Sequence, residues 1–184
     1  MGEAHWFYRD EAEWIEIARK LKLTPCPHCK VVVNLIRHGA LQGFDECRRI
    51  VLRAHRVFCS HRNRRPGCGR TISVWLADNI RRLKVTTRRL WNFLQKAVAG
   101  TMEAAIRALH SRLSDRTWQR IWARFNAAQS HVRTALANRY PLPVPPVKPS
   151  RRPAALVLAH LLAAFPKADC PIAAFQFTIQ IFFL

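Results

Sequence analysis

The sequence predicts a mainly α chain carrying a small β zinc ribbon and a three-helix helix-turn-helix segment. Three observations lead there. Cys26-Pro27-His28-Cys29 is a CxxC pair, and Cys59 and Cys68 follow beyond strand-like runs. From Thr86 to about Ala135 the apolar positions recur at helical spacing, with breaks at Gly100 and around Ser111 to Ser114. Residues 48–133 hold 20 Lys plus Arg against only three acids, Asp78, Glu103 and Asp115. That concentration exceeds what solubility requires.

The whole chain of 184 residues has 31 Lys plus Arg, 11 Asp plus Glu and a formal charge of +20, with 49% hydrophobic residues. It is too hydrophobic for a disordered basic tail and too short for most multidomain enzymes. Units this small bury little surface, so a metal or a partner is expected to assist. The excess charge points to nucleic acid first and an acidic membrane surface second, and makes a small-molecule substrate unlikely as the main partner. Met1 to Tyr8 lacks the basic and apolar regions of a secretory signal, so a cytoplasmic, nucleoid-associated protein is expected. Ala154 to Phe165 and Ile172 to Leu184 are shorter than the roughly 20 residues of a membrane span.

Residues 1–23 read as an N-terminal amphipathic helix, with Trp14, Ile17, Ala18 and Leu21 on one stripe and Glu11, Glu13 and Glu16 elsewhere. Residues 24–76 read as the ribbon. Its strands are expected at Val31 to Ile36, closed by Gly39, then at Ile50 to Phe58 and Thr71 to Val74, forming a three-stranded antiparallel unit. Residues 77–138 hold the helix-turn-helix. Residues 139–153 are proline-rich and read as an extended linker. Residues 154–184 form an apolar tail whose last stretch, Phe175 to Leu184, has no evident packing partner.

Two thiolate pairs separated by a β-hairpin suit a tetrahedral zinc ion, so Cys26, Cys29, Cys59 and Cys68 are the expected ligands of a structural Zn²⁺. Gly69 fits a knuckle position that needs φ > 0. Lys30 stands where glycine would serve better, and the eight residues between Cys59 and Cys68 imply an insertion in the second knuckle. His28 and His61 are alternative ligands, His61 the stronger. Cys47 and Cys170 read as free thiols. Four thiolates on Zn²⁺ leave a charge of −2, which Arg62, Arg64, Arg65 and Arg70 are placed to offset.

Thr86 or Thr87 and then Thr101 read as N-caps of two helices. Ser114 caps a third, with Asp115 at N1 and Leu113 poised to staple against Trp118. In that third helix Trp118, Ile121, Trp122 and Phe125 form an apolar stripe, while Arg116, Arg120 and Arg124 recur on the other side. Helix-turn-helix docking needs polar and basic side chains near the start of the second helix, where they reach base edges in the major groove. Arg116, Thr117, Gln119 and Arg120 hold those places.

The order of motifs resembles the N-terminal DNA-binding region of bacterial insertion-sequence transposases. The residues that carry the likeness are Cys26-Pro27-His28-Cys29, Leu35-Ile36-Arg37-His38-Gly39, Phe58-Cys59, Arg64-Arg65-Pro66-Gly67-Cys68-Gly69-Arg70-Thr71 and the helices of Thr86 to Phe125. The resemblance covers about residues 24–130 and implies DNA binding, not a reaction, with a separate catalytic or partner protein as one candidate partner. A transposase catalytic core would need three metal-binding carboxylates, and only Asp169 follows Glu103 and Asp115. Phosphate-loop, HExxH and GxSxG motifs are absent. The expectation is a non-enzymatic, zinc-stabilised protein that binds double-stranded DNA. The alternative is a zinc-stabilised assembly factor whose adhesive surfaces are Ala154 to Phe165 and the aromatic C-terminus.

Overall fold

The computed structural model describes residues 6–64, 66–143 and 153–184. It is mixed α/β: among the described residues there are a four-stranded sheet and six α-helices. The strands are β1 (Phe7–Tyr8), β2 (Leu35–Phe44), β3 (Ile50–Cys59) and β4 (Thr71–Leu76), and the sheet runs β1-β4-β3-β2. The expected antiparallel unit is present in β2, β3 and β4, and β1 adds a parallel edge beside β4. Helix α1 (Glu11–Lys20) precedes β2. The others are α2 (Thr87–Ala99), α3 (Met102–Ala108), α4 (Asp115–Ala137), α5 (Pro153–Ala164) and α6 (Pro171–Ile179). Most of the proline-rich stretch, residues 144–152, lies outside the described residues.

The first strand differs from its expected place. Val31 to Val33 are not in it, because the Val31 carbonyl accepts from the Cys26 amide and the Val33 amide donates to Lys22. Those bonds belong to the turn around the first cysteine pair, so β2 starts at Leu35. Gly39 does not close the strand either. It sits inside β2 at φ +102, where the register with β3 shifts between Arg37 and Ala40, so it forms a bulge.

Two apolar clusters hold the chain. One face of the sheet, with Leu35, Val57, Cys59, Ile72 and Val74, packs against Tyr8, Trp14 and Leu21 of the N-terminal segment. The Trp14 ring stacks on His55 with centroids 4.1 Å apart. The second cluster joins Leu90, Phe93 and Leu94 of α2, Trp118, Ile121 and Phe125 of α4, and Val157, Leu161, Phe175 and Phe183 of the C-terminal segment. The tail therefore has partners the sequence did not disclose. Of the adhesive surfaces expected of an assembly factor, Val157, Leu161, Phe175 and Phe183 are buried, while Leu156 and Leu162 are exposed.

Two glutamines fasten the tail. Gln176 donates through Nε2 to the carbonyls of Ala77 (2.8 Å) and Asn79 (3.0 Å) in the β4–α2 connection, and accepts from the Phe183 amide (3.1 Å). Gln180 accepts from the amides of Trp6 (2.7 Å) and Phe7 (2.9 Å) and donates to the Phe7 carbonyl (3.3 Å). A side-chain amide thus serves the outer edge of β1 as a neighbouring strand would.

Candidate metal centre and basic surface

The four cysteines expected as ligands come together: their Sγ atoms all lie within 4.8 Å of one another. Cys26 Sγ is 3.7 Å from Cys68 Sγ, and Cys29 Sγ is 3.7 Å from Cys59 Sγ. Zn–S bonds of about 2.3 Å separate neighbouring sulfurs of a tetrahedron by about 3.8 Å. A disulfide would need about 2.05 Å. The two 3.7 Å separations match the tetrahedral spacing, so the four sulfurs could hold a common ion.

The backbone explains how the sulfurs converge. The Cys26 amide donates to the Val31 carbonyl (3.0 Å) and the Lys30 amide to the Cys26 carbonyl (2.8 Å). In the second pair the Cys59 amide donates to the Arg70 carbonyl (2.9 Å) and the Gly69 amide to the Cys59 carbonyl (3.0 Å). The schemes are equivalent: in each, the residue after the second cysteine turns back to the first. Both turning residues have positive φ, 63° at Lys30 and 70° at Gly69. Lys30 therefore adopts the left-handed conformation that glycine would hold with less strain.

The insertion between Cys59 and Cys68 leaves this scheme intact because it is pinched at its base. A Cβ at Gly67 would stand 2.0 Å from the Ser60 carbonyl oxygen, so the chain leaves after Ser60 and returns against it at Gly67. The Cys68 amide then donates to Cys59 Sγ at 3.4 Å.

Neither histidine joins the sulfurs. His61 lies over Gly69, with Nδ1 2.9 Å from where a Cβ would be, and its ring meets the edge of Phe58. His28 Nδ1 faces the Arg70 guanidinium at 3.4 Å. Cys26 and Cys59 are buried, and Cys29 is half-buried. A hydrogen bond from the Val31 backbone lowers the Cys29 thiol to about 7, whereas burial pushes Cys59 up to about 12. Four thiolates at this spacing repel one another, so ionising all of them needs a cation at their centre. A divalent, sulfur-preferring ion fits that donor set, and four protein ligands leave no open position for a substrate.

The expected basic residues fall into two groups. Arg62 and Arg64 are exposed in the insertion between Cys59 and Cys68, Arg70 is exposed two residues after Cys68, and Arg65 lies outside the described residues. Arg116, Gln119 and Arg120 are exposed on the first turns of α4, whereas Thr117 and Arg124 are half-buried. Ser114 caps α4 in position, and its Oγ pairs with Thr117 Oγ1 at 3.0 Å. Opposite the arginines, Trp118, Ile121 and Phe125 are buried, while Trp122 is half-buried.

The hairpin separates the groups. Glu46, in the turn between β2 and β3, accepts from Ser111 Oγ (2.9 Å) and pairs with Arg89 (3.1 Å), and Arg89 also donates to the Leu109 carbonyl (2.7 Å). These contacts pin the α3–α4 turn to the hairpin tip. The cysteines close the other end, where Leu35 pairs with Cys59. Strands of ten residues span about 33 Å. Arg62, Arg64 and Arg70 therefore do not share one site with Arg116 and Arg120.

Half-exposed Arg56, Phe58 and Trp75, on the sheet face away from α1, are not among the site residues expected from sequence. Period-two alternation along Ile50 to Cys59 was the available signal, since it sets Arg56 and Phe58 opposite Val57 and Cys59. Among the described residues no helix is long and apolar enough to cross a membrane. Comparison with family models, with curated proteins and with solved structures found no match.

Proposed function

We propose that the chain is a non-enzymatic, zinc-stabilised protein that binds double-stranded DNA, in the manner of transposase-derived or transposon-associated binding proteins. In this reading the sheet and its two cysteine turns are a zinc ribbon closed by Cys26, Cys29, Cys59 and Cys68. Helices α2 to α4 act as a helix-turn-helix, with Arg116, Thr117, Gln119, Arg120 and Arg124 directed to the duplex. The carrying observation is α4 itself: its inner face is buried in the aromatic core while Arg116, Gln119 and Arg120 are exposed in its first turns. A total charge of +20 supports a polyanionic partner. The hairpin length between the basic groups, about 33 Å, is close to one turn of duplex, so the knuckle arginines would meet phosphates about a turn away. Catalysis, where DNA is processed, belongs to a separate protein, and the expected location is the nucleoid.

The test is a duplex titration at two salt concentrations. Arg120→Ala should weaken binding by about 1–3 kcal/mol if the residue meets a base, or reduce the salt slope by about one if it meets phosphate. Unchanged affinity in the Arg116→Ala, Arg120→Ala double variant rules the helix-turn-helix reading out.

A further inference from the structure

The two faces of the sheet differ in chemistry. The inner face is apolar and covered by α1, which carries Glu11, Glu13 and Glu16. On the outer face the register aligns Ile36, Phe58 and Thr71 in one row, Arg56 with Ser73 in the next, and Ala54 with Trp75 in a third. Arg56, Phe58 and Trp75 remain half-exposed. The Phe58 ring is flanked by His38 and His61, with centroids 5.4 and 5.8 Å away. At the far end Trp75 lines a shallow depression of about 260 Å³ with Leu41, Ile80, Arg82 and Lys84. None of these positions holds an acid.

We propose that this outer face is a stacking platform for single-stranded nucleic acid, separate from the duplex contact proposed for α4. Paired bases hide their faces in the helical stack, so only an unpaired strand offers a surface that Phe58 and Trp75 can cover. Stacking on aromatic side chains tolerates any base, because every base has a π-face. Phe58 and Trp75 stand four residues apart in the β3 register, about 13 Å along the strand. That distance accommodates the two or three bases that sheet platforms hold. Arg56 lies between the two rings, placed to meet the connecting phosphates, and the Thr71 and Ser73 hydroxyls flank it. The cations of this face, Arg56, Arg82 and Lys84, favour a polyanion over a protein segment of mixed charge.

The experiment uses the full zinc-loaded chain and fluorescein-labelled 15-mers of deoxythymidine and of uridine, followed by anisotropy. Both Phe58→Ala and Arg56→Ala should weaken single-strand binding, Phe58→Ala by roughly 5- to 100-fold, the range expected for one lost stacking contact. Phe58→Tyr keeps a ring and should retain most of the affinity, which separates stacking from a folding defect. Loss on both strands supports the platform. Loss on one alone also supports it and identifies which of the two strands it prefers. Duplex binding should respond to Arg116→Ala and Arg120→Ala but not to Phe58→Ala, so the platform and the α4 reading fail separately. The platform is overturned if Phe58→Ala, with an unchanged thermal melt, binds the 15-mers as tightly as the parent. Displacement of the strand by polyglutamate as readily as by unlabelled 15-mer also overturns it, since the face would then accept any polyanion.

Discussion

The sheet region and the helical region bury their residues in different ways. The helices enclose a continuous core rich in large aromatic side chains, where Phe93 and Trp118 lie 4.7 Å apart and Phe125 meets Phe183 at 5.9 Å. The sheet has a smaller cluster under α1, and its far end is closed by sulfur rather than by carbon. A small cluster offsets little chain entropy, and a metal held by the four cysteines would cross-link the chain where burial runs short. Core area in the helical region and a ligand set in the sheet region would then be alternative means to one end.

The largest effect is expected at the cysteines. Cys59→Ser should reduce zinc to less than about half an equivalent and unfold the sheet, because structural zinc contributes on the order of 10 kcal/mol to domains of this size. Metal analysis with circular dichroism checks this, and much of the helical signal should survive. In the helical core Trp118→Ala should cost about 3–5 kcal/mol in denaturant melts without changing zinc content. Trp122→Ala should cost less, since Trp122 is half-buried. Gln180→Ala joins the two regions: it strips the Trp6 and Phe7 amides of their acceptor and should cost about 1–3 kcal/mol. The smallest effect is expected at Arg116→Ala and Arg120→Ala. Each should leave stability within about 0.5 kcal/mol while duplex affinity falls.

The cysteine site was legible because its information is local. Two short motifs carried the ligands, and Gly69 announced one of the two turning residues. Lys30 concealed the other, since a left-handed lysine is set by surrounding hydrogen bonds rather than by its own preference. The caps at Thr86 and Thr101, and the cap position of Ser114, were readable for the same local reason. The first strand was misplaced because β-branched residues at Val31 to Val33 look the same whether a sheet or a turn uses their backbone. The tail was opaque for a different reason. Gln180 reaches its partners across more than 170 residues, and nothing in the alternation of Phe175 to Leu184 encodes that distance. Likewise the separation of the two arginine groups depends on Glu46 holding Ser111, a pairing between otherwise ordinary polar residues.

The pinch between Ser60 and Gly67 makes the intervening loop a detachable module. Its ends are fixed by backbone contact, and the metal-facing hydrogen bonds are complete without it. Lengthening such a loop adds only about 0.6 kcal/mol per doubling, so sequence between the two residues can vary freely in size. A tag or a recognition peptide grafted there should leave zinc content unchanged. The neck has no such tolerance: Gly67→Ala drives a methyl group into the Ser60 carbonyl and should loosen the metal although it removes no ligand. One short neck therefore sets the boundary between a loop whose length is free, though it carries His61, Arg62 and Arg64, and a part of the chain held to fixed geometry.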